Sequence, residues 1–98
     1  MTINKNQNGN ALTISVEGRL DTTTAPELEK VIKESLSNIN DLTLDFSKLD
    51  YISSAGLRVL LSAQRIMKSQ GQMKVTNINE VVREVFEVTG FADILTIE

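Results

Sequence analysis

The chain has 98 residues, a net charge of −3 at pH 7, 41 % hydrophobic and 23 % charged residues, which is enough for one domain with its own apolar core, residues 1–98, and too little for two. It contains no cysteine and no histidine. That excludes disulfides, thiol nucleophiles, iron–sulfur clusters, zinc ribbons and every Ser–His–Asp arrangement, so no metal and no cofactor are expected. The acidic balance and the four scattered aromatics, Phe46, Tyr51, Phe86 and Phe91, argue against nucleic acid as a partner. No run of large apolar residues exceeds Val59-Leu60-Leu61, so insertion in a membrane is not expected. The first ten residues lack the apolar stretch of a signal peptide, and the expected location is cytoplasmic.

In chain order, Asn6-Gln7-Asn8-Gly9-Asn10 reads as a hairpin turn, because Asn and Gly tolerate the positive φ of tight turns. Ile3 and Lys5 before it predict a short edge strand. After it, Leu12, Ile14 and Val16 alternate with polar residues, the period of two that marks a half-buried strand. Thr24-Ala25-Pro26-Glu27 carries helix-start signals: a threonine to cap, a glutamate three residues later to reciprocate, and a proline in the first turn. Leu28, Val31, Ile32 and Leu36 then form one face of an amphipathic helix ending near Ser37-Asn38. Alternation returns from Asp41 to Phe46.

A longer helix is predicted from about Ser54 to Ser69, with Leu57, Leu60, Leu61 and Met67 on one face and Gly71 closing it. Met73 and Val75 predict a strand. Val81, Val82, Val85 and Phe86 predict a third helix ended by Gly90, and Ile94 to Ile97 a last short strand. The order β-β-α-β-α-β-α-β implies an α/β domain: a mixed, mostly parallel β-sheet covered by helices. Leu28, Ile32, Leu44, Phe46, Leu60, Leu61 and Phe86 are the expected centre of the core.

The five glycines lie nine or more positions apart, so neither a GxGxxG nor a Walker loop can be built. Asp21, Asp45 and Asp50 fall near predicted strand ends, where two could converge as a carboxylate pair for hydrolysis. The informative segment is Leu49-Asp50-Tyr51-Ile52-Ser53-Ser54-Ala55-Gly56-Leu57-Arg58, read as a loop followed by a serine-capped helix. Ser53 or Ser54 could simply satisfy the free N–H groups of the first turn. Gly56 there costs about 1 kcal/mol against alanine, so close approach of packed backbone or of a partner is implied. The helix start would also favour a phosphate, and Arg58, four residues after Ser54, could reach it, with Arg65 one further step along the same face.

Tyr51 to Leu61 resembles the signature of the STAS domain of bacterial anti-sigma factor antagonists, an aromatic-apolar-Asp-Ser-Ser/Thr-Gly-Leu motif at a helix start. Gly18-Arg19-Leu20-Asp21 is similar to the family's Gly-x-Leu-Asp, and Val85 to Phe91 to its helix ending in glycine and an apolar residue. The resemblance spans essentially the whole chain. It implies a STAS-like fold and a switch rather than an enzyme. The unphosphorylated antagonist holds an anti-sigma factor that is also a serine kinase of the GHKL type, which frees a sigma factor. Phosphorylation releases that partner and a phosphatase resets the switch. Carried onto this chain, the phosphoacceptor is Ser54, with Ser53 as runner-up because Ser53 replaces the family's aspartate. The partner surface would comprise Asp21, Ser53, Ser54, Gly56 and Arg58. The same resemblance also allows a STAS-type accessory domain docked on a membrane transporter complex, and a carboxylate-dependent hydrolase is the remote alternative.

Overall fold

The computed structural model describes residues 1–98. Strand β1 (Thr2–Asn8) and strand β2 (Ala11–Leu20) form an antiparallel hairpin around Gly9 and Asn10. Helix α1 (Ala25–Ser35) leads to β3 (Asp41–Ile52), helix α2 (Ser54–Lys68) to β4 (Gln72–Thr76), and helix α3 (Glu80–Thr89) to a 3-10 turn at Phe91–Asp93. The sheet order is β1-β2-β3-β4, with β2, β3 and β4 mutually parallel. The expected mixed, mostly parallel sheet is therefore the fold. Two ends differ from expectation. The Asn-rich start is strand up to Asn8, not turn from Asn6. The last strand shrinks to one bridge, Val75 beside Ile97, because the 3-10 turn consumes the residues up to Ile94 and leaves only Thr96–Glu98 to bond β4.

Strand β3 is twice the predicted length, and Leu49–Ile52 is strand rather than loop. Its buried residues explain why the pattern hides this. Leu42, Leu44 and Phe46 alternate, but the next inward residues are Leu49 and Ile52, each three positions on. Against β2, Ser15 pairs Asp45 while Glu17 pairs Lys48, and Gly18 pairs Leu49 while Arg19 pairs Tyr51. β3 thus carries two bulges, each inserting one residue and resetting the inward phase. The consequence is functional: β2 and β3 end together, at Leu20 beside Ile52.

The core is wholly apolar, and no polar or charged side chain is buried. Leu28, Ile32, Leu44, Phe46, Leu60 and Phe86 are each at most 1 % exposed, as expected. Leu61 is only half-buried, because α2 faces the sheet through Gly56, Leu60, Ala63 and Met67 and Leu61 falls on the flank of that stripe. Gly90 ends α3 in the left-handed conformation, φ 83°, a geometry glycine adopts without a Cβ penalty. Gly71 does not act as a left-handed cap. A Cβ there would overlap the backbone carbonyl of Asn40, so this glycine serves close approach.

Candidate functional site

Parallel β2 and β3 deliver their following turns side by side at the carboxyl end of the sheet, the place where α/β folds present ligand-binding loops. Ser53 N–H donates to the Leu20 carbonyl at 2.9 Å, which ties the second turn directly to the first strand. Asp21 opens one turn and Ser53-Ser54 the other.

The first turn is closed by Asp21, not by Thr24 as the capping-box pattern predicts. Thr24 has helical backbone, φ −99° and ψ −22°, and makes no side-chain cap bond. Instead Asp21 Oδ1 accepts from the Thr23 hydroxyl at 2.7 Å, from Thr23 N–H at 3.0 Å and from Thr24 N–H at 3.2 Å. Thr24 Oγ1 accepts from Asp21 N–H and donates to the Arg19 carbonyl, each at 2.8 Å. An aspartate bonding backbone two and three residues on is the local geometry such sequences favour over helix. The Thr23 hydroxyl above all, with the Thr24 and Thr23 N–H groups, holds the Asp21 carboxyl below its ordinary value. Arg19 lies over the Tyr51 ring at 4.6 Å and 3.9 Å from Asp21. Neither partner of this stack is recognisable in the sequence, since only the bulged register sets Arg19 opposite Tyr51.

The second turn is left open. Ser53 is the N-cap of α2 with extended backbone, ψ 177°, yet its side chain caps nothing. Its hydroxyl oxygen is shielded from solvent and bonds no group. Ser54, the first residue of α2, is exposed. The helix start therefore keeps free N–H groups and its positive dipole end beside an accessible hydroxyl. No acidic residue lies in the first turn of α2 itself.

Gly56 faces inward. A Cβ there would stand 2.8 Å from Ile52 Cγ1 and 2.8 Å from Leu20 Cγ. It is buried and cannot touch a partner as the resemblance implies. Its missing side chain seats the first turn of α2 on the last residues of β2 and β3, the packed-backbone alternative. Arg58 and Arg65 are both exposed and join no ion pair within the chain. Arg58 borders a hollow of about 200 Å³ between the starts of α1 and α2, shared with Thr22, Pro26 and Ala55.

The three aspartates do not converge. Asp21 is at the carboxyl end. Asp45 lies mid-strand, paired with Ser15 and Thr76, seven residues before Ile52. Asp50 is the exposed extra residue of the second bulge. The Asn77 side-chain amide at 3.1 Å and Ser47 N–H at 3.0 Å hold the Asp45 carboxyl below its ordinary value. Asp21 and Asp45 are thus both stabilised as anions, the opposite of what a general acid at neutral pH requires.

Residues 2–98 match the family model of the STAS domain. BtrV of Bordetella bronchiseptica, named as a candidate anti-sigma factor antagonist, is 37 % identical over 84 residues, covering 84 % of this chain and 72 % of that protein. The anti-sigma-B factor antagonist of Bacillus subtilis is 28 % identical over 98 residues, covering 99 % of this chain and 90 % of its own length. Among solved structures, an anti-sigma factor antagonist from Mycobacterium paratuberculosis superposes with a TM-score of 0.89 at 23 % identity, over 98 % of this chain and 83 % of that one. Unphosphorylated SpoIIAA superposes at 0.85 with 18 % identity, over 99 % and 88 %. No helix is long and apolar enough to cross a membrane. The signature at the start of α2, the Gly-Arg-Leu-Asp of β2, the sheet order and these matches agree: the chain belongs to the STAS domain family.

Proposed function

We propose that the protein is an anti-sigma factor antagonist, a binding module switched by phosphorylation and not an enzyme. Its unphosphorylated form holds an anti-sigma factor that is also a serine kinase of the GHKL type, and so frees a sigma factor in the cytoplasm. Phosphorylation of Ser54 releases that partner, and a phosphatase restores binding. The observation that carries this reading is the exposed Ser54 hydroxyl at an uncapped helix start. The names of the relatives support the antagonist role. SpoIIAA, which shares the fold, is known in a phosphorylated form as well, superposing at a TM-score of 0.76 with 17 % identity.

A phosphate adds about −1.5 to −2 charges near neutral pH. At the start of α2 the helix dipole favours that charge by about 0.3–1 kcal/mol, and Arg58, one turn on and unpaired, can approach it. The modification therefore leaves the domain folded and acts at the interface, through steric overlap and through repulsion of acids or nucleotide phosphates on the partner. Asp21, Ser53, Ser54 and Arg58 form the contact surface, and Gly56 supports it from beneath.

The test is intact mass and site-mapped phosphorylation of the protein purified from its native host, with identification of the chain that co-purifies. A GHKL-type kinase together with a single phosphate on Ser54 is the expected result. A transport ATPase or permease as the partner would replace the reading with the transporter-accessory one. Phosphate on Ser53 would shift the acceptor by one residue.

A further inference from the structure

Only three large apolar side chains of the chain are exposed: Val81 at 51 %, Val88 at 81 % and Ile94 at 49 %. Two of them lie on α3, seven residues apart, and so one behind the other on the same side of the helix. With Val85 and Thr89 they line a shallow hollow of about 270 Å³. Of the four valines in this ten-residue helix only Val82 is buried. Valine is a poor helix former, and at Val88 above all the fold gains little packing in return.

The edge of this stripe has a definite charge. Glu80, Glu84 and Glu87 follow at i, i+4 and i+7, all exposed, and none pairs with a base in the chain. They form one acidic ridge beside Val81 and Val88. The opposite edge carries Val85 and Thr89, and Arg83 lies beyond the acids. A second copy seated on the same face would set the ridge against its twin or against Val85 and Thr89, never against a base. An anionic lipid surface would be repelled by it.

We infer that the outer face of α3 is a second docking surface, separate from the Ser54 end, for an amphipathic helix of another protein whose apolar side chains are edged by Lys or Arg. The stripe spans two helical turns, which suits packing of one helix across another. Apolar contact supplies the attraction, and the acidic ridge fixes orientation and rejects acidic partners.

The test uses the full-length ¹⁵N-labelled protein and two synthetic helical peptides of about 18 residues, identical in their leucine face and differing only in lysine or glutamate along its edge. Saturable shift changes confined to α3 and the following turn are expected with the lysine peptide and not with the glutamate peptide, weakening in about 0.5 M salt. Val88→Asp should weaken binding about tenfold or more while the melting temperature is kept. The triple change of Glu80, Glu84 and Glu87 to Lys should reverse the peptide preference. Equal response to both peptides, no response at α3, or α3 shifts that move on simple dilution of the protein would each overturn the proposal. None of these outcomes depends on Ser54.

Discussion

The starts of α1, α2 and α3 are built by three different means, and the contrast identifies the site. At α1, Asp21 accepts three bonds from Thr23 and Thr24. At α3, Asn79 accepts from Val82 N–H at 2.8 Å and donates to the Leu49 carbonyl at 2.9 Å. At α2, Ser53 offers its hydroxyl to nothing. The turn before α1 is closed by its own side chains and the first turn of α3 is capped by Asn79, whereas the turn before α2 is left to whatever arrives. Free donors and the dipole at an exposed helix start are tolerable because water satisfies them, and they are useful because an anion can replace the water. The incomplete start is nonetheless anchored to the strand ends, with Gly56 packed against Leu20 and Ile52 and Ser53 N–H bonded to β2.

The largest expected effect sharpens that contrast at the open end. Phosphorylation of Ser54 should weaken partner binding by about 3–4 kcal/mol, a hundredfold or more, with backbone amide shifts changed only near α2 and Asp21. Ser54→Ala should abolish phosphate incorporation and keep binding, and Ser54→Asp should weaken binding only partly, since it brings one charge and a smaller group. Titration calorimetry beside NMR spectra reads both. Shift changes spreading to β1 and β4 would show a conformational switch and break the interfacial account.

The next effect concerns the seat of α2. Gly56→Ala gains helix propensity of about 1 kcal/mol but drives a methyl into Leu20 and Ile52, so a net loss of about 1–2 kcal/mol is expected in urea unfolding. A stabilised variant would mean that α2 can lift off the strand ends at little cost. Smaller still is the difference between caps. Asn79→Ala should cost about 1 kcal/mol, whereas Ser53→Ala should change stability by less than about 0.5 kcal/mol and leave most phosphate on Ser54. Equal losses from the two would show that Ser53 caps after all.

The smallest effect is one of pH. Both the Asp21 and Asp45 carboxyls are held below their ordinary value of 3.8. A depressed carboxylate contributes stability above its unfolded value and loses it as pH falls through the folded one. The melting temperature should therefore be insensitive to these groups from neutral pH down to about 5 and fall more steeply below about 4. Asp21→Asn and Asp45→Asn should each make that acid limb shallower. An unchanged limb in Asp21→Asn would mean that the first turn is not held by its carboxylate.

Much of this molecule was legible from residue order alone. The alternation of Leu12, Ile14 and Val16, the stripes of α1 and α2, and Gly90 as the end of α3 are local patterns, and local patterns survive folding when one face must be buried. The Tyr-Ile-Ser-Ser-Ala-Gly-Leu run placed Ser54 at a helix start by the same logic. Tertiary structure decided the rest. The bulges of β3 exist because it must keep Leu49 and Ile52 inward while pairing β2, and inserted residues break the very period by which a strand is recognised. Thr24 carried the pattern of a cap, but its hydroxyl is taken up by Asp21 N–H and the Arg19 carbonyl. Gly56 was ambiguous between partner and packing until Leu20 and Ile52, 36 and 4 residues earlier in the chain, were seen to occupy the space of its missing side chain. Sequence determines which groups a segment can offer. Only the pairing of distant strands determines which of them are used up inside the fold and which, as at Ser54, are left facing out.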